Sequence, residues 1–248
     1  MTIAAAINQH TTDAELQKLS ADYESKTPEA VLSWALEEFG DEVALATGFG
    51  AEGCVLVHML AQIRQDVRIF FLDTDLLFPE TYSLRDQLET RYGIHFERRS
   101  SKHSLMAQAR EFGERLWERQ PDLCCKLRKV EPLEEMLVDL RAWITAIRRD
   151  QTRSRARAPI IERDRNFGLI KINPLAAWSS VRVWDYMVNH DVPYNHCTQP
   201  VTPRLVVCPV LLRSRLAKTL ELDVGVAHRK QSADYTDNAF SLTLLGEP

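Results

Sequence analysis

The sequence predicts an α/β protein, a parallel twisted sheet with helices on both faces. Three observations predict it. Short apolar, strand-like runs alternate with segments of helical period from "EVALAT" onward. A glycine-rich turn, "GFGAEG", joins the first of these runs to the helix after it. Finally, 248 residues at 45% hydrophobic and 27% charged content suffice for one substantial core.

The elements follow in order. "PEAVLSWALEEFG" has helical periodicity, with Pro28 suited to its first turn and Gly40 to its end. "EVALAT" reads as a strand, "CVLVHMLAQI" as an apolar helix, "VRIFFLD" as a strand, "FPETYSLRDQLETRYG" as a helix and "IHFERR" as a strand. Further on, "PLEEMLVDLRA" reads as a helix, "WITAIRR" and "FGLIKINPL" as strands, and "SSVRVWDYMVNH" as a helix capped by serine. The biased run "RRDQTRSRARAP" is too polar for a core and reads as a loop. No internal repeat interrupts the series.

Composition narrows the function classes. With 31 basic against 35 acidic residues the chain is not expected to coat a polyanion, so no nucleic-acid partner is expected. No stretch approaches about 18 uninterrupted apolar residues, so no membrane partner is expected either. The start, "MTIAAAINQHTTDAELQKL", is weakly amphipathic and lacks a basic region ahead of an apolar one, unlike a signal peptide. Five cysteines, odd in number and unevenly spaced, suit a reducing, cytoplasmic setting.

Four stretches carry chemistry. Gly48, Gly50 and Gly53 in "ATGFGAEG" follow a strand and precede a helix, where sharp turning and helix-start N–H groups favour a phosphate or sulfate. A plain connecting turn has the same composition, and both readings stay open on these residues alone. Asp73 and Thr74 in "FLDTDLLFPETY" end a strand at the carboxyl edge of the sheet, where open α/β sheets bind ligands. Arg148, Arg149, Arg153, Arg155 and Arg157 crowd one loop, which suits a mobile clamp on a small dianion. Cys124 and Cys125 are adjacent, and neighbouring Cα atoms lie about 3.8 Å apart, short of the roughly 4.4–6.8 Å of an unstrained disulfide. With Lys126, Arg128 and Lys129 close behind, the pair suits metal or cluster ligation, provided two more ligands exist.

Together "FLDT…LFPETY", "CC..RK..PL", "RRDQ…R" and "KINPLA.W…VW.Y…..VPYN" resemble the assimilatory adenylyl-sulfate and phosphoadenylyl-sulfate reductases, over roughly Leu32 to Asn195. That family lies in the Rossmann-like, adenine-nucleotide α-hydrolase-like superfamily. The resemblance implies reduction of the sulfuryl group of adenylyl sulfate to sulfite, with release of AMP and electrons from thioredoxin. Paired cysteines imply a four-iron, four-sulfur cluster and a preference for substrate without a 3′-phosphate. Carried onto this chain, Cys124 and Cys125 are two cluster ligands, and Lys129 is the cation between cluster and substrate. Gly48, Phe49, Gly50, Ala51, Glu52 and Gly53 are the phosphate-side loop, Asp73 and Thr74 the nucleotide edge, and Arg148, Arg149 and Arg155 the anion-closing loop. Two departures stand out: Gly53-Cys54 where serine or an acidic residue is common, and Asp75 where glycine is common.

After Asn195 the family pattern of Leu-His, a Cys-x-Pro-Cys segment and a final Glu-Cys-Gly-Leu-His does not follow. Cys197 and Cys208 lie too far apart to replace a Cys-x-x-Cys pair. Taking the third base of each codon with the first two of the next permits Leu-His across His196 to Thr198 and Gly-Tyr-Pro-Ser-Ile-Gly-Cys-x-Pro-Cys across Pro200 to Val210. The same frame permits Pro-Gly-Glu-Asp-Pro-Arg-Ala-Gly-Arg-Trp from Arg215 to Gly225, and Lys-Thr-Glu-Cys-Gly-Leu-His from Arg229 to Thr236. One missing nucleotide near codon 196 accounts for all four, dividing the chain into a reductase domain, residues 1–195, and a frameshifted tail, residues 196–248. On this reading the chain as written lacks the catalytic cysteine, does not hold a cluster stably and is inactive. A phosphoadenylyl-sulfate reductase and a non-catalytic nucleotide-binding module are the alternatives; a homo-oligomer stays open.

Overall fold

Pro28 starts a helix that Gly40 ends, as the sequence predicts, in a computed structural model that describes residue 7 and residues 11–195. The expectations for residues 196–248, Cys197 and Cys208 among them, lie outside the described residues. Helix α1 (Asp13–Tyr23) precedes α2 (Pro28–Phe39). Strand β1 (Val43–Ala46), α3 (Ala51–Ile63), β2 (Arg68–Asp73), α4 (Pro79–Tyr92) and β3 (Phe96–Ser100) follow in the expected alternation. Next come α5 (Leu105–Phe112), α6 (Leu116–Arg119), α7 (Pro121–Cys125), a wide π turn (Lys126–Val130) and α8 (Glu131–Leu137). Strands β4 (Ala142–Ile144), β5 (Ile161–Arg163) and β6 (Ile170–Ile172) and helix α9 (Ser180–Asn189) complete the described chain.

The six strands lie in the order β3-β2-β1-β4-β6-β5. Every pairing is parallel except that of β5 with β6, which is antiparallel. The parallel sheet expected from sequence is present, with one antiparallel strand, β5, added at its edge. The cause is local: Asp164 to Leu169 is too short for a crossover, and Asp164 accepts from the backbone of Asn166 and Phe167 while Gly168 takes a left-handed φ of 73°. A three-residue strand carries too little alternation to be read.

Side chains of the central strands alternate between two apolar layers. Val43, Leu45, Ile69 and Phe71 face a layer with α2, α3, α4 and α9. Ala44, Ala46, Phe70 and Leu72 face Leu133, Met136 and Leu137 of α8. Helices therefore cover both faces, and each buried Leu, Ile or Phe contributes about 1.5–3 kcal/mol.

Three readings shorten or gain detail. Of "WITAIRR" only Trp143 and Ile144 are strand, in β4 (Ala142–Ile144). The "PLEEMLVDLRA" helix ends at Leu137. The segment read only as weakly amphipathic forms α1, started by a capping box in which Thr12 and Glu15 exchange hydrogen bonds. Among the described residues no helix is long and apolar enough to cross a membrane.

Candidate functional site

Strand order reverses at β1: the chain runs outward through β2 and β3, then returns to the opposite side of β1 as β4. Such a reversal leaves a crevice outside the carboxyl ends of the strands. The glycine turn, Asp73-Thr74 and the arginine loop lie at the carboxyl ends of β1, β2 and β4, which are neighbours in the sheet.

The turn after β1 is built differently from its glycine count suggests. Its left-handed residue is Phe49 (φ 61°), whereas Gly50 is extended (φ −69°, ψ 169°) and forms the N-cap of α3 without a side-chain hydrogen bond. Burial of the Phe49 ring, 5.3 Å from Phe71 and 5.1 Å from Phe96 in edge-to-face contact, offsets that backbone cost. Phe49, expected as a substrate residue, therefore has its side chain packed in the core. Its N–H donates to Thr47 Oγ1 at 3.1 Å, and a Cβ on Gly53 would lie 2.5 Å from that same oxygen. Gly53 is thus required by close packing, and with Gly48, Ala51 and Glu52 it frames the N-terminal end of a 13-residue helix, a favourable place for an anion.

Asp73 is buried and its carboxylate is fully engaged. One oxygen accepts from the Asp75 N–H (2.8 Å) and the Tyr82 hydroxyl (2.7 Å), the other from Arg98 Nε (2.6 Å). Burial, reinforced by that bond, pushes the Tyr82 hydroxyl up to about 12. Asp73 therefore shapes the edge rather than offering an open acceptor. Thr74, also buried, receives the Leu76 N–H on its hydroxyl at 3.3 Å.

The arginine loop is irregular, as expected, but its guanidinium groups are anchored. Buried Arg148 donates from Nε to Glu52 at 2.8 Å and also pairs with Asp150, whose second oxygen takes the Ser180 N–H of α9 at 2.9 Å. Arg149 is held by Glu24, beyond the end of α1, and by the Ala158 carbonyl at 2.8 Å. Arg155 is buried and donates to Gln151 Oε1 at 2.6 Å, the oxygen that also receives the Arg148 N–H at 3.1 Å. Arg148 and Arg149 are thus tied to α3, α9 and the end of α1, whereas Arg153 and Arg157 are the loop arginines with exposed side chains.

The cysteine pair ends α7, and both thiols are free. Pro121 opens that helix, and Pro132 follows the π turn, in which the Glu131 N–H reaches back to the Lys126 carbonyl. Proline lacks an N–H and crowds the carbonyl four residues back, here that of Arg128, so the wider turn accommodates it. Cys124 packs with Leu116 and Leu127, while Cys125 is half-buried. Burial pushes the Cys124 thiol up, opposed by Arg128, a Gln108 hydrogen bond and half-buried Lys129. Cys54, fully buried in α3, is pushed up to about 12.

Arg128, read from sequence only as part of the basic run behind the cysteine pair, is a buried hub. It is 1% exposed and donates to Gln108 Oε1 (2.7 Å), Thr74 O (2.9 Å), Asp75 Oδ2 (3.0 Å) and His103 O (3.3 Å). Its place in "CCKLRK" was a signal, but its partners lie 20 to 54 residues away. Gln151 and Asp150 were likewise visible only as part of "RRDQ". Two adjacent thiols are half the four ligands a four-iron, four-sulfur cluster takes, and Cys54 is sealed in the core. Among the described residues no group of three or more His, Cys, Asp or Glu gathers, so this donor set alone does not fit a cluster.

Residues 42–199 match the phosphoadenosine phosphosulfate reductase domain family. The chain is 46% identical over 203 residues to the adenosine 5′-phosphosulfate reductase of Salinibacter ruber, covering 77% of this chain and 81% of that one. It is 38% identical over 200 residues to the enzyme of the same name from Halalkalibacterium halodurans, covering 75% and 87%. A crystal structure of phosphoadenylyl-sulfate reductase from Candida auris, a phosphate complex, superposes with a TM-score of 0.69 at 30% identity, covering 78% of this chain and 93% of that one. The Candida glabrata FMN adenylyltransferase bound to ATP, at 16% identity and a TM-score of 0.50, shares the fold alone; it covers 79% of this chain and 62% of that one. The strand order, the site at the reversal and these matches make the chain a member of the phosphoadenosine phosphosulfate reductase domain family, whose members are oxidoreductases of sulfate reduction.

Proposed function

We propose that this chain binds adenylyl sulfate at the carboxyl ends of β1, β2 and β4 and belongs to thioredoxin-dependent reduction of that substrate to sulfite and AMP. The observation that carries the reading is the meeting of three separate motifs at the strand-order reversal. Residues 48–53 present the start of α3 to the phosphosulfate, residues 73 and 74 bound the nucleoside side, and Arg148 stands between the α3 start and the arginine loop. Two adjacent cysteines and the two named adenosine 5′-phosphosulfate reductases favour substrate without a 3′-phosphate over phosphoadenylyl sulfate.

The covalent step needs an activated thiolate that attacks sulfur, expels AMP and leaves a thiosulfonate for thioredoxin to cleave. Burial raises both Cys54 and Cys124, which suits neither to that role. This favours a second reading in which the chain as written binds nucleotide without turning it over, because the frameshifted residues 196–248 omit the nucleophile and two cluster ligands.

Calorimetry on the full chain tests the site. Adenylyl sulfate and AMP are expected to bind, and Arg148→Ala to weaken binding by about 1.5–3 kcal/mol, as for a lost charged hydrogen bond. Arg149→Ala should weaken it less, since Glu24 already holds that side chain. Absence of nucleotide binding, or equal affinity for parent and Arg148→Ala, overturns the site. Thioredoxin-dependent sulfite release from the chain as written, set against one with a nucleotide restored near codon 196, separates the two readings. Activity in the unrepaired chain would end the frameshift argument.

A further inference from the structure

Asp75 occupies a left-handed backbone position (φ 56°), where glycine is unstrained and aspartate is among the few other residues tolerated. A side chain held at that φ carries a backbone cost, so the carboxylate needs a reason of its own. Its Oδ2 lies 3.0 Å from Nη1 of Arg128, which is 1% exposed. The other acceptors on Arg128 are the Gln108 amide and the carbonyls of Thr74 and His103, so Asp75 supplies the one formal negative charge in that set. A buried guanidinium without a counter-charge is strongly disfavoured. Asp75 is itself fixed from the other side: Oδ1 takes Arg98 Nη2 at 2.9 Å, while Asp73 holds both Arg98 Nε and the Asp75 N–H.

We propose that Asp75 is a positioning residue that locks the helix carrying Cys124 and Cys125 against the carboxyl end of β2, acting through Arg128. Arg128 lies in the π turn directly after the pair, so anchoring its guanidinium sets the rotation of that helix about its axis. The apolar support there is small, a cluster of Leu116, Cys124 and Leu127 with partly buried neighbours. Polar anchoring therefore decides whether Cys124 stays covered. What the positioned pair serves rests on the proposed function; the positioning itself does not.

The test is pulsed alkylation of the full chain with N-ethylmaleimide under native conditions, read at individual cysteines by tandem mass spectrometry. Asp75→Asn should speed labelling of Cys124 by roughly tenfold through local opening, with Cys54 protected as in the parent. Cys54 is the internal control, because it lies fully buried in the sheet core. Asp75→Gly, which the backbone prefers, must show the same acceleration. In an Arg128→Lys background, whose single amine cannot hold Asp75, Thr74 and Gln108 together, Asp75→Asn should add less than about twofold. Unchanged Cys124 labelling in either Asp75 variant, Cys54 labelling that rises in step, or a full additive effect in the Lys background overturns the proposal. No nucleotide, cluster or thioredoxin enters the measurement, so a chain that fails to bind AMP refutes the proposed function and leaves this result standing.

Discussion

The sheet half of the site and the lobe that carries the cysteine pair are held together by different forces. Around β1 and β2, two apolar layers press on strands buried over Val43–Ala46 and from Ile69 to Asp73, and the ladders on both sides of β1 are parallel. The lobe of α5, α6, α7 and the π turn has three buried apolar residues of its own and is tied to the sheet by Arg128. Cysteine chemistry divides in the same way. Cys54 sits among apolar neighbours and its thiol is pushed up to about 12 by burial, whereas at Cys124 a guanidinium, an amide and an amine oppose the effect of burial. Burial alone does not set what a thiol can do; the polar groups left beside it do.

The largest expected effect comes from breaking the stronger half. Phe70→Ala, in the layer under α8, should cost about 3–5 kcal/mol in urea unfolding. Leu127→Ala in the lobe should instead show mainly as lost amide protection in residues 116–130, with the amides of β1 unchanged. If both variants lose protection over the same amides, the two halves are one cooperative unit and the comparison fails.

Next is Gly53→Ala, whose Cβ would meet Thr47 Oγ1 at 2.5 Å. A loss of about 1–3 kcal/mol is expected from the overpacked helix start, together with weaker AMP binding. Thr47→Ala in the same chain should recover part of the stability, and no recovery would place the strain elsewhere.

The smallest concerns the tie from the arginine loop to α1. The Arg149 hydrogen bond holds the Glu24 carboxyl below its ordinary value, with burial opposing it. A depressed folded-state pKa means that this stabilisation is complete above the unfolded carboxyl value and is lost as pH falls through the folded one. Because the pair is partly exposed, its worth is under about 1 kcal/mol. Glu24→Gln should flatten that acid limb of the stability curve, and an unchanged limb would assign the slope to other carboxylates.

The motifs of the candidate site were legible because each is short and local. A strand ending in "FLDT", a turn through "GFGAEG" and a loop of "RRDQTRSRAR" announce themselves within a dozen residues or so, and parallel topology sends the ends of β1, β2 and β4 to one edge. Their internal wiring was not legible. Asp73 gives its carboxylate to Tyr82 and Arg98, Arg149 turns to Glu24, 125 residues away, and Phe49 rather than a glycine takes the left-handed position. Each of these depends on which groups meet in space, which no local spacing encodes.

By itself the sequence determined the alternation of strand and helix, the sheet with helices on both faces, the family and the adjacency of Cys124 to Cys125, since periodicity, turn residues and motif spacing are properties of neighbours along the chain. Only the tertiary structure decided that β5 runs antiparallel, that Gly53 is held glycine by Thr47 Oγ1, and that Arg128 joins the cysteine helix to Thr74 and Asp75. The physical reason is the same in each case. A buried charge or a crowded Cβ is settled by the nearest atoms in three dimensions, and for Arg128 those atoms are as many as 54 residues away in sequence.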